Sequence, residues 1–105
     1  MSDAEEALAF QLRAVGIVFD REVAFAPPRR WRADFEIECG SDRGCLLVEV
    51  DGGSWIAGRH TSGTGFAKDL EKLNEATILG YRCLRFTPEM VESGVALATI
   101  ERALA

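Results

Sequence analysis

Apolar residues recur at helical spacing from Leu8 through Leu12 to Val15, with Ala4 and Ala9 beside them. That stripe predicts a helix over 2–15. Ser2 and Glu5 have the spacing of a Ser-x-x-Glu capping box, and Gly16 follows as a C-terminal stop. Glu5 also lies on the apolar stripe, three residues before Leu8, so it either caps the helix or faces inward. Residues 18–25 read as a strand, and Pro27-Pro28 then breaks regular structure.

From 30 to 38 the pattern switches to period two. Trp31, Ala33, Phe35 and Ile37 share one face, and Arg32, Asp34, Glu36 and Glu38 share the other, which predicts a strand with one buried side. After the turn cluster Gly40-Ser41-Asp42-Arg43-Gly44, the denser apolar run Cys45–Val50 predicts a strand central to its sheet. Glycines at 52, 53, 58, 63 and 65 predict a long loop over 52–65, and such loops in small domains are often functional. A second helix is predicted over 66–79, with Phe66, Leu70, Leu73 and Thr77 on its stripe and Gly80 at its end. Residues 81–87 form a further predicted strand. Pro88 opens a short helix to Glu92, and Val95–Leu104 closes the chain as another helix. The resulting α-β-β-β-α-β order, with helices following, implies an α/β fold with a mixed sheet flanked by helices, built as one domain over 1–105.

Composition narrows the classes. The chain is 48% hydrophobic and 28% charged, ordinary for a globular domain. No apolar run reaches the roughly 18 residues of a membrane span, and the acidic start Met1-Ser2-Asp3-Ala4-Glu5-Glu6 is unlike a secretory signal, so a cytosolic location is expected. Cys39, Cys45 and Cys83 lack Cys-x-x-Cys spacing and are expected as reduced thiols rather than as zinc ligands with His60. A net charge of −5 argues against holding nucleic acid by bulk electrostatics. Locally, Arg29-Arg30-Trp31-Arg32 is a basic stretch beside an aromatic, with Arg21, Arg43 and Arg59 nearby in sequence.

The carboxylates carry the candidate chemistry. A hairpin centred on Ser41-Asp42 places Asp34 directly opposite Glu49, with Cβ atoms roughly 4.5–5.5 Å apart. Opposed carboxylates repel unless a cation lies between them, and Asp51 would point to the same face. A hard divalent ion with oxygen ligands is one remedy. The alternative is a different register, or a solvated face on which Arg32 pairs with Asp51.

Arg32-Ala33-Asp34-Phe35, then Val48-Glu49-Val50-Asp51-Gly52-Gly53, then His60, then Asp69 with Lys72, then Gly80-Tyr81-Arg82-Cys83-Leu84-Arg85-Phe86 resembles the PD-(D/E)XK nucleases. Within them it is most similar to small phage- and prophage-type endonuclease domains akin to very-short-patch repair endonucleases. The resemblance spans essentially the whole chain. It implies a restriction-endonuclease-like α-β-β-β-α-β core and a Mg2+-dependent DNA endonuclease, with Mn2+ as substitute, acting on repair, recombination or branched substrates. It implies that Asp34 and Glu49 hold the metal, with the Val50 carbonyl as a further ligand. Glu5 matches the additional glutamate that many members carry on the first helix, and His60 matches a proton-transfer group.

The chain departs from that pattern at one position. The lysine expected two residues past the glutamate is Asp51. Either Asp51 is a further ligand or the positive charge has moved to Lys72, which could equally be half of an ion pair with Asp69. Arg29, Arg30, Arg32 and Arg59 are candidates for DNA backbone contacts, and Trp55 for stacking on a base. A small endonuclease of this kind is expected to act as a homodimer where both strands are engaged. The rival is a binding module that kept the nuclease fold and lost its chemistry.

Overall fold

A computed structural model describes residues 2–40, 44–51 and 63–105, without the side chains of 63–66. Helix α1 runs Asp3–Ala14. Strands β1 (Asp20–Ala24), β2 (Arg32–Glu38) and β3 (Cys45–Val50) follow. Helix α2 (Gly63–Ile78), strand β4 (Arg82–Phe86) and helices α3 (Pro88–Ser93) and α4 (Val95–Leu104) complete the order. The sheet order is β1-β2-β3-β4, antiparallel between β1, β2 and β3 and parallel between β3 and β4. This is the mixed, helix-flanked sheet that the sequence implies.

The hairpin register is also the expected one. Phe35 pairs with Val48 and Glu38 with Cys45; the ladder ends there, and Asp34, expected opposite Glu49, instead meets β3 through the Val50 N–H. The turn residues 41–43, the proposed centre of the hairpin, lie outside the described residues.

One face of the sheet carries the larger core. Leu8, Ala9 and Leu12 of α1 pack with Phe35, Ile37, Leu46, Val48, Val50 and Phe86 of the sheet and with Val91, Ala96 and Ile100 of α3 and α4. Removing the Leu, Ile, Val and Phe side chains among these from water supplies roughly 1.5–3 kcal/mol each. Ser2 caps α1 by accepting from the N–H of Glu5, but the Glu5 carboxylate is turned elsewhere, so only half of the capping box forms. Val15, expected on the buried stripe, is 47% exposed. The chain leaves the helix there, and the Ile17 N–H bonds back to the Leu12 carbonyl.

Helix α2 covers the other face over a smaller cluster of Phe25, Ala26, Ala33, Leu47 and Ala76. It begins at Gly63, earlier than expected. Its expected stripe is also corrected: Leu70 is 45% and Leu73 37% exposed, whereas Ala76 is buried. Asp69, Lys72, Leu73 and Ala76 line the space against the sheet, where the sheet presents Glu49 and Arg85, charges that need partners. Among the described residues, no helix is long and apolar enough to cross a membrane.

Candidate active site

Asp34 sits in β2 with half-buried surroundings. Its Oδ2 accepts from the Val50 N–H at 2.8 Å, which locks the carboxylate against the end of β3. Val50 therefore meets Asp34 through its N–H. Burial pushes the Asp34 carboxyl above its ordinary range; the Val50 bond opposes that shift, and the Glu22 charge adds to it.

Glu5 projects inward from the first turn of α1, with its side chain only 14% exposed. Burial, followed by the charges of Asp34 and Glu22, raises its pKa. Glu5 Oε1 is buried without a hydrogen-bond partner, and an Arg21 nitrogen stands 3.8 Å away.

Glu22 completes the group, and sequence reasoning missed it. The β1–β2 register pairs Arg21 with Phe35 and Val23 with Ala33, so Glu22 falls opposite Asp34. Glu22 has φ +54, a left-handed backbone that non-glycine residues rarely adopt and that clusters at functional sites. Its carbonyl accepts from Arg32 Nη1 at 2.9 Å, which braces the strained residue. Glu5, Glu22 and Asp34 each offer a carboxylate oxygen, all within 4.8 Å of one another.

Glu49 does not join this group among the described residues. It forms an ion pair with Lys72 of α2, so Lys72 answers Glu49 and not Asp69. Asp51 is held by Arg85 Nη2 at 3.0 Å, and Arg85 stands beside Glu49 in the parallel β3–β4 register. Burial alone disfavours the Arg85 charge, but its bond to Asp51 and the nearby acids raise its pKa. Leu47, Glu49, Lys72, Ala76, Cys83 and Arg85 line a cavity of about 20 Å³, room for little more than a water molecule and too small for a nucleobase.

The expected DNA contacts are distributed unevenly. Arg29 bonds Glu71 at 3.1 Å and lies 4.4 Å from the Trp31 ring centre. Trp31 in turn stacks on Phe25, with ring centres 6.4 Å apart. Arg30 is exposed, and Arg32 is spent on Glu22. Trp55, Arg59 and His60 lie outside the described residues. Cys39, Cys45 and Cys83 are free thiols.

The fold has a known structural counterpart. The chain is similar to a solved structure titled "Homing Endonuclease I-Bth0305I Catalytic Domain", with a TM-score of 0.69 and 19% sequence identity over 99% of this chain and 94% of that one. The two share a fold. No protein-family model matches the sequence, and no curated protein matches it.

What the site can do follows from its charges. Three carboxylates, two of them pushed toward protonation by burial, form a locus of negative charge only partly offset by Arg21, with an unsatisfied buried oxygen. Hard divalent cations take oxygen ligands of this kind, so the residues present fit such an ion.

Proposed function

We propose that the chain is a single-domain, divalent-metal-dependent deoxyribonuclease that hydrolyses phosphodiester bonds. The observation that carries this reading is the convergence of Glu5, Glu22 and Asp34 within 4.8 Å. The likeness in fold to a homing endonuclease catalytic domain supports it. Mg2+ is the proposed ion, with Mn2+ as substitute, and DNA is the proposed partner.

Bound there, a Mg2+ ion would supply a water of lowered pKa and offset charge on the reacting phosphate. Asp34 is the fixed ligand, because the Val50 N–H sets its orientation. Glu5 brings a carboxylate on a side chain that is mostly shielded from solvent. Glu22 brings a third on a backbone held in place by Arg32. Glu49 and Asp51 belong to an adjoining ion network in which Lys72 and Arg85 are their counter-charges. The Lys72 charge reaches Asp34 as well as Glu49, which supports a role for it beside a bound phosphate. His60 remains the proposed proton-transfer group.

A second reading has an observation in its favour. Glu49 and Asp51, two expected ligands, are each neutralised by a protein cation, as in a nuclease fold kept for binding alone. Incubating the protein with linear, nicked, mismatched and branched DNAs in Mg2+ or Mn2+, with chelator controls, separates the two. The enzyme cuts at least one substrate, and chelator stops it. Calorimetric Mn2+ binding should vanish in Asp34→Ala. DNA binding with no metal uptake and no cutting would establish the second reading.

A further inference from the structure

Arg21 is a cation built against the acidic group. Its Nη2 lies 3.0 Å from Glu6 and 3.8 Å from Glu5, and its guanidinium carbon is 5.2 Å from the Phe35 ring centre. Phe35 is wholly buried, so the stack gives the guanidinium a rigid floor.

The two acid contacts differ in kind. At 3.0 Å the Glu6 contact is a charge-assisted hydrogen bond, and it draws the Glu6 carboxyl below its ordinary range. At 3.8 Å the Glu5 contact is beyond hydrogen-bond length. A divalent ion competing for Glu5 therefore displaces the weaker of these two contacts. The Glu6 bond and the Phe35 stack would keep the guanidinium beside the acidic group.

We propose that Arg21 binds the phosphodiester at this site, donating through its planar fork to non-bridging phosphate oxygens. The inference rests on the nuclease reading and adds a substrate contact to it. Phosphate drawn toward the acids by a shared cation arrives next to a guanidinium whose geometry matches it in two-point fashion. In the absence of substrate the same side chain partly offsets the mutual repulsion of Glu5 and Glu6. That dual use explains an arginine, with its delocalised and weakly hydrated charge, where a lysine would serve a simple ion pair equally well.

The test uses the whole chain and three variants, Arg21→Gln, Arg21→Lys and Glu6→Gln, with folding checked by thermal melting. Affinity for a short DNA duplex is measured in Ca2+ by fluorescence anisotropy, Mn2+ affinity by calorimetry, and cleavage under single-turnover conditions in Mg2+. Arg21→Gln should weaken DNA binding about tenfold and reduce the salt slope of binding by about one. It should slow cleavage about 100-fold and leave Mn2+ affinity no weaker. Arg21→Lys should keep the salt slope and still cut slowly, because the charge remains and the fork is lost. Glu6→Gln, which loosens the anchor, should fall between Arg21→Lys and the natural chain.

A folded Arg21→Gln protein with unchanged DNA affinity and cleavage would overturn the proposal while leaving the nuclease reading intact. Parallel loss of Mn2+ affinity and cleavage would overturn it too, reducing Arg21 to a support for Glu5. Should Arg21→Gln fail to fold, Arg21→Lys decides, and a full cleavage rate in that variant counts against the fork. A natural chain that cuts no DNA in either metal removes the nuclease reading, and this inference with it.

Discussion

Lys72 of α2 and Glu49 of β3 form an ion pair across the cavity between helix and sheet, with side-chain exposures of only 23% and 19%. Glu49 is thereby neutralised from the helix side. The carboxylates that gather around Asp34 instead are Glu5 and Glu22.

Breaking that pair from one side should be costly, because it strands a shielded charge. Lys72→Met is expected to destabilise the protein by about 1–3 kcal/mol. The double variant with Glu49→Gln should recover much of the loss. Chemical denaturation of the two singles and the double measures the coupling. Mn2+ affinity should change little in Lys72→Met while cleavage slows by about tenfold or more.

Glu5 should trade stability for chemistry. Its folded pKa is raised by burial first and then by the charges of Asp34 and Glu22, so the folded state holds the proton more tightly than the unfolded chain. Stability from this group is present at acid pH and is lost as pH rises through the ordinary carboxylate range to the raised folded value. At neutral pH without metal, Glu5→Gln should therefore raise the melting temperature, by roughly 5 °C for about 1 kcal/mol. Metal affinity should fall at the same time. Melting curves from pH 3 upward check the sign: the advantage of the variant should shrink toward acid pH.

Asp51 is engaged by Arg85 at 3.0 Å, and it does not belong to the acidic group among the described residues. Asp51→Asn should leave Mn2+ affinity within about twofold, since no ligand charge is lost. Arg85 loses its counter-ion in that variant, and an exposed pair of this kind contributes about 0–1 kcal/mol. A tenfold fall in metal affinity by calorimetry would instead make Asp51 a ligand.

Gly44 tests how the turns at one end of the sheet fit together. Its φ is +70, and an added Cβ would stand 3.0 Å from the Gly80 carbonyl oxygen. Gly44→Ala should cost about 1–3 kcal/mol from backbone strain and crowding. Gly16→Ala, with φ +80 and open space around the Cβ position, should cost less. Denaturant midpoints for the two variants settle the order.

The β2–β3 hairpin was legible because alternation commits Phe35 and Ile37 to the larger core, and a slip by one would bury Glu36 and Glu38. The same alternation misplaced Ala33, which packs in the smaller cluster under α2 with Trp31 against it. Asp34 could be singled out as a carboxylate that the expected hairpin set opposite Glu49. Glu5 was legible as a charge on an apolar stripe. Glu22 was not: in a short strand of alternating exposure a glutamate reads as solvated, and no sequence signal announces a positive φ at that residue type. The α2 stripe misled for a different reason. Hydrophobic periodicity assumes an apolar surface beneath the helix, and this sheet face presents Glu49 and Arg85. The helix turned Lys72 toward them and left Leu70 half in water.

The kink at Glu22 has a bearing on how the protein behaves in company. β1 is the outer strand of the sheet, and a regular outer strand is a template on which another chain can add a strand. At Glu22 the ladder to β2 skips a residue, the backbone leaves the extended region, and a charged side chain marks the break. Irregularity and charge of this sort discourage strand-to-strand aggregation. Relieving the strain with Glu22→Gly would therefore remove a carboxylate from the acidic group and also leave the sheet margin more open to self-association.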